Sequence, residues 1–83
     1  MTKVRIPPTL RPATGGEPEV PARGETVGEI LDDLTARFPG LEGQLPYANV
    51  YVDGEDIRTL DDLETPVREG ATVILLPAMA GGR

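Results

Sequence analysis

The 83-residue chain contains no cysteine, histidine, serine or tryptophan, and its only lysine is Lys3. A serine or cysteine nucleophile, a histidine base, a zinc site of the usual Cys/His kind and an iron–sulfur cluster all need side chains that are missing here. Without cysteine there is also no disulfide framework. The first residues carry neither a long apolar run nor a signal-peptide pattern, so a cytoplasmic location away from membranes is expected. Positive charge is scarce as well: eight Lys and Arg stand against 14 Asp and Glu, for a net charge of −6. The seven arginines are spread evenly along the chain and form no stripe for phosphate backbones, so nucleic acid is not an expected partner. The acidic excess serves solubility or steers the chain toward a basic partner enzyme.

What is present describes one ordinary domain. Its length supports a single modest core and no deep cleft between two halves, which leaves the surface or a terminus as the place of function. Apolar residues make up 39% and charged residues 27%, while ten Gly and nine Pro predict a turn-rich mixed α and β fold with limited helix.

Val4, Ile6 and Thr9-Leu10 read as a first strand, with Pro7-Pro8 suggesting an edge position or a bulge. Arg11 to Gly16 is a turn-rich connection, Glu17 to Val20 a second short strand completing a hairpin, and Pro21 to Glu25 a loop. Thr26-Val27-Gly28-Glu29 has the spacing of a capping box, in which Thr26 and Glu29 reciprocally satisfy free amides at a helix start near Val27. Val27, Ile30, Leu31, Leu34 and Phe38 then recur at helical spacing, with Glu29, Asp32, Asp33 and Arg37 toward water, until Pro39-Gly40 ends the helix.

After a loop carrying Leu41 and Leu45, Ala48 to Val52 is a β-branched and aromatic run. It ends at the turn dipeptide Asp53-Gly54, from which Ile57-Arg58 is expected to return antiparallel. Leu60 to Leu63 suggests a helical turn. Thr72 to Leu76 is so apolar that it reads as a strand at the centre of the sheet. A sheet holding one helix is the simplest architecture for this order.

The last strand stands close to the end of the sequence, and Pro77-Ala78-Met79-Ala80-Gly81-Gly82-Arg83 leaves it directly. Proline prevents the strand from continuing and the small residues favour no regular element, so residues 77–83 are expected to form a flexible tail on a domain of residues 1–76. Residues 77–82 could reach roughly 20 Å at about 3.3 Å each, and two glycines let backbone thread where a side chain would collide. In a domain without catalytic side chains, the C-terminal carboxylate is the one special chemical group left.

Ile6-Pro7 with Leu10-Arg11-Pro12 and Thr14-Gly15-Gly16, Asn49-Val50-Tyr51-Val52 with Glu55-Asp56-Ile57-Arg58, and Leu76-Pro77-Ala78 through Ala80-Gly81-Gly82 together carry a resemblance. Over nearly its whole length the chain resembles the ubiquitin-like sulfur carriers of the ThiS and MoaD type, most closely the CysO-like group of actinobacterial cysteine biosynthesis. The diglycine is common to that superfamily, whereas the Leu-Pro-Ala-x-Ala-Gly-Gly tail and the Arg-Pro loop are more specific to the CysO-like group. The resemblance implies an α+β, β-grasp fold with a mixed sheet on one main helix. It implies a protein cosubstrate and not an enzyme, with no bound cofactor or metal. An ATP-dependent adenylating enzyme of the ubiquitin-activating type would convert the Gly82 carboxylate to an acyl-adenylate and then to a thiocarboxylate. A sulfur-acceptor enzyme, of the cysteine synthase type in the CysO-like group, would receive the sulfur. Gly81, Ala80, Met79 and Ala78 would lie in the partner's channel.

The chain departs from this pattern at Arg83, which leaves Gly82 in a peptide bond. Arg83 is either a cap removed by a JAMM-type metalloprotease, as in some family members, or a residue left by cloning. Ala80 stands where ubiquitin carries Arg, so conjugation to protein lysines through Gly82 is the runner-up. Sulfur donation to molybdopterin, thiamine or thio-sugar synthesis, and a passive β-grasp interaction domain, are the other readings. Asp32-Asp33 and Asp61-Asp62 read as solvated pairs before metal or acid/base groups, and Asp53 to Asp56 as a hairpin turn without the length of a calcium loop.

Overall fold

The computed structural model describes residues 1–43 and 48–77. Five strands, β1 (Thr2–Arg5), β2 (Glu19–Ala22), β3 (Ala48–Val52), β4 (Glu55–Asp56) and β5 (Thr72–Pro77), form one sheet in the order β2-β1-β5-β3-β4, and one helix, α1 (Val27–Arg37), crosses it. Only β1 and β5 run parallel; the other neighbours are antiparallel, which makes the sheet mixed. Val27, Ile30 and Leu34 of α1 are fully buried against Val4, Val20, Val50, Val52, Val73 and Leu75 of the sheet. The 3.6-residue period on one side and the two-residue period on the other thus meet in a single core.

The helix begins as its sequence dictates. Glu29 N donates to Thr26 Oγ1 at 3.3 Å, but the Glu29 carboxylate accepts from Glu25 N at 2.8 Å, one residue before the expected partner. Thr26 instead lies in a bridge to Pro66, flanked by Val27 N to Thr65 O and Val67 N to Glu25 O bonds, so the cap is also tied to the segment that leads into β5. Leu31 and Phe38 are half-buried at the edge of the stripe, and Pro39–Leu41 ends the helix in a 3-10 turn that buries Leu41 completely.

Two expectations about the N-terminal hairpin are corrected. The first strand stops at Arg5, and Thr9-Leu10 belongs to a 3-10 helix over Pro8–Thr14. Proline opens a helical turn easily because its fixed φ suits the first position and its missing N–H would be unpaired there. β1 is therefore no edge strand; it pairs with β2 on one side and β5 on the other. The 3-10 helix is pinned by Arg11 Nε donating to Ile6 O at 3.0 Å and by the buried Thr14 hydroxyl, 3.1 Å from Arg11 O and 3.0 Å from Glu17 O. The second strand runs later than Glu17 to Val20 and includes Pro21, which the outermost position tolerates.

β3 occupies the expected residues. Asp53 and Gly54 both have positive φ (49° and 89°), the signature of a two-residue hairpin turn, and this places Val52 opposite Glu55. The returning strand is therefore Glu55–Asp56 and not Ile57-Arg58; Ile57 is buried at the start of a 3-10 turn, Ile57–Thr59. The helical turn expected at Leu60 to Leu63 is a 3-10 turn at Asp62–Glu64, and Leu45 lies outside the described residues. β5 is central, but its burial alternates: Val73 and Leu75 are buried, Ile74 is half-buried and Leu76 is 43% exposed. Among the described residues, only the helix side of the sheet is covered.

Candidate functional site

Pro77 is the last described residue of the C-terminal strand, and it pairs with Ala48 at the end of the β3–β5 ladder. Ala78, Met79, Ala80, Gly81, Gly82 and Arg83 lie outside the described residues. What the structure supplies is the platform that these residues extend from: a central strand held by β1 on one side and β3 on the other.

The ladder registers define that platform. Residues opposite one another in adjacent strands project from the same face, so Glu19, Arg5, Ile74, Tyr51 and Asp56 form one row across the uncovered side of the sheet. Leu76 and Asn49 form the next row toward the chain's end. Ile74 and Tyr51 are half-buried and Leu76 is exposed, which produces an apolar strip beside the departure point of the final residues. On its β1 side the strip is bordered by Arg5 and by Lys3, whose ammonium is 4.0 Å from Glu19.

Among the described residues no group of His, Cys, Asp and Glu could hold a metal ion. Asp32 is exposed, whereas Asp33 is less free than its sequence position suggests: its carboxylate accepts from Arg23 N at 3.0 Å and from Arg37 Nη2 at 2.9 Å. Asp61 and Asp62 sit in a turn, with Asp61 N donating to Thr65 Oγ1 at 3.0 Å. Asp53 belongs to the hairpin and accepts from Thr72 N at 3.1 Å while its own N–H donates to Thr72 O at 2.9 Å, tying the turn to the start of β5. Asp56 is held by Arg58, with Nη2 at 2.8 Å and the backbone N–H at 2.9 Å. These hydrogen bonds keep the Asp56 carboxyl below the ordinary carboxylate range and raise the Arg58 guanidinium. The acidic groups near the hairpin are thus parts of its architecture.

The apolar strip was not visible in the sequence. Val73 to Leu76 is uniformly apolar, so nothing in it distinguishes the two residues that face the helix from the two that face outward. The available signal was Tyr51 and Asn49, whose alternation with Val50 and Val52 marks one face of β3 as partly polar.

Comparison with known proteins adds independent information. The family model described as the ThiS family matches residues 4–82. The sulfur carrier protein CysO of Mycobacterium tuberculosis is 39% identical over 89 residues, covering 95% of this chain and 96% of that protein. The small archaeal modifier protein 3 of Haloferax volcanii is 36% identical over 64 residues, covering 69% of this chain and 70% of its own. Among solved structures, a chain of the Amycolatopsis orientalis BexX/CysO complex superposes with a TM-score of 0.90 at 44% identity, covering 99% of this chain and 100% of that one.

Proposed function

The chain belongs to the ThiS family, and we propose that it is a sulfur carrier of the CysO-like kind that works through Gly82. The observation that carries this reading is the position of β5: the strand that leads to the diglycine is the central one of the sheet and ends beside an exposed apolar strip. Likeness to CysO over almost the whole chain supports the same role. As a carrier the protein is a substrate of other enzymes and not itself a catalyst.

In the proposed reaction, a free Gly82 carboxylate attacks the α-phosphorus of ATP in the adenylating enzyme and pyrophosphate leaves. A sulfur nucleophile then adds to the acyl carbon and AMP departs, leaving a C-terminal thiocarboxylate. That group is anionic at neutral pH and nucleophilic for the reason that thiolates are. Its sulfur attacks an activated acceptor in a second enzyme, of the cysteine synthase type by analogy with CysO, and displaces the acceptor's leaving group; hydrolysis of the resulting acyl linkage then returns the Gly82 carboxylate and leaves the sulfur on the product. Gly81 passes the partner's channel without a side chain, Ala78, Met79 and Ala80 lie in it behind, and the strip of Ile74, Tyr51 and Leu76 is the surface the partner covers. Arg83 must first be removed by hydrolysis of the Gly82–Arg83 bond, which a JAMM-type metalloprotease would perform.

Intact-mass spectrometry tests this directly. The form ending at Gly82, incubated with ATP, a sulfide source and the adenylating enzyme of the same organism, is expected to exchange one oxygen for sulfur at its C-terminus. The full chain is expected to remain unchanged until the protease is added. Equal conversion of the uncut chain would remove the cap from the scheme. Adducts on other proteins in place of a thiocarboxylate would select the modifier reading, which the relative from Haloferax volcanii favours.

A further inference from the structure

β4 covers only part of the outer edge of β3. It pairs with Tyr51 and Val52 alone, and after Asp56 the chain turns away into Ile57–Thr59. Along an antiparallel strand, successive residues direct their backbone groups to alternate sides. The Asp53 N to Thr72 O bond sets the phase on the β5 side, so Tyr51 and Asn49 also point their N–H and C=O toward β5. Val52, Val50 and Ala48 point the other way. Val52 meets Glu55; for Ala48 and Val50 no described strand lies on that side.

This edge, unpaired among the described residues and with Val50 itself only 6% exposed, is one wall of a groove between α1 and the turns that follow β4. Its apolar surface comes from Leu31 of the helix and from Leu63, which is 51% exposed; at one end the groove is closed where Gly28 packs directly on Leu63, and Ile57 lies buried beneath it. Its rim carries Asp32, Glu42 and Asp62. The one cation lining it among the described residues is Arg58, which is already bound to Asp56. A groove with a free strand edge, apolar walls and a negative rim fits an extended apolar segment that carries Lys or Arg. The strand adds through main-chain bonds, the walls take its alternate side chains and the rim takes its charge.

The groove is also continuous with the working end of the chain. Ala48 lines it and pairs with Pro77, and residues 78–82 span at most about 17 Å. The acidic rim of Asp32, Glu42 and Asp62 calls for cations on whichever part of the enzyme comes to lie against this edge while the final residues are engaged. Resting on the sulfur-carrier reading above, we propose that the open edge at Ala48 and Val50 binds a basic, extended segment of the adenylating enzyme as an added strand. The outward side chains of that strand continue the strip formed by Tyr51, Ile74 and Leu76, so the two surfaces make one interface that wraps the β3 edge.

Hydrogen exchange and binding, measured on the form ending at Gly82 with the purified adenylating enzyme, test the proposal. In the complex, the Ala48 and Val50 amides are expected to exchange at least ten-fold more slowly than in the free chain, while those of β2 at the far edge keep their rates. The triple variant Asp32→Asn, Glu42→Gln, Asp62→Asn is expected to bind about ten-fold more weakly and to lose most of its salt dependence, given a few tenths to about 1 kcal/mol for each exposed charge. Asparagine is chosen at Asp62 because its φ is 56°. Unchanged exchange at Ala48 and Val50, unchanged affinity of the triple variant, or absence of binding would each overturn the proposal. Thiocarboxylate formation is read separately by mass. Conversion without protection at the edge removes the groove alone, and protection without conversion removes the carrier chemistry alone.

Discussion

Ala48 and Pro77 face each other at the last rung of the β3–β5 ladder, so the strand that enters the sheet from the 44–47 segment and the strand that leads to the C-terminal residues share one boundary. One step inside this rung Leu76 and Asn49 face each other.

Leu76→Arg tests that approach. Leu76 is 43% exposed and projects from the uncovered face, so its loss leaves the core intact and thermal unfolding is expected to change little. If a partner buries the 43% of this side chain that is still exposed, forfeiting about 0.6–1.3 kcal/mol of apolar contact should raise KM for carrier activation about three- to ten-fold. Steady-state conversion measured against carrier concentration checks it; an unchanged KM would remove the strip from the interface.

Gly24 is fixed by the backbone around it. Its φ is 155°, and a Cβ there would stand 2.7 Å from Glu29 Cβ and 2.8 Å from Ile30 N. The substitution Gly24→Ala should therefore cost about 3 kcal/mol from conformational strain and overlap together, measured by urea denaturation. Gly43, which has open space around the position of a Cβ, serves as the control, and Gly43→Ala should stay within about 0.5 kcal/mol.

Thr26→Ala removes the acceptor for Glu29 N at the start of α1. A loss of about 1 kcal/mol is expected by the same denaturation measurement, and Thr26→Ser, which keeps the acceptor, should recover most of it.

Asp56 should give a pH signature. Its carboxyl is lowered in the folded chain by the Arg58 hydrogen bonds, so the pair adds stability at pH values above the unfolded carboxyl pKa of about 3.9, and that contribution disappears as the pH falls through the lower folded value. In an NMR titration the Asp56 carboxyl should titrate below its unfolded value, and in Arg58→Met it should move upward. The stability difference between the two proteins should narrow as the medium is acidified through this range.

The elements that could be read in the sequence are those whose determinants are local. Thr26, the apolar positions from Val27 to Leu34, and Pro39 specify a helix and its ends without reference to anything distant. Asp53-Gly54 supplies two positive-φ residues and so defines the turn after β3. Pro7-Pro8 misled because proline ends a strand and begins a helical turn equally well; the burial of Leu10 and Thr14 decided for the turn. The Gly81-Gly82 dipeptide, on which the proposed function rests, also needs only residue types and their distance from a strand to be noticed.

By itself, then, the sequence determined the helix, the β3 turn, the absence of Cys, His and Ser, and the diglycine on which the proposed chemistry rests. Tertiary structure decided what depends on distant partners. That β1 has neighbours on both sides, that Leu76 faces outward and that β3 keeps half an edge uncovered all follow from which strands pair and in what register. Register joins residues far apart in the chain, and an apolar run carries no mark of which of its faces the helix will cover.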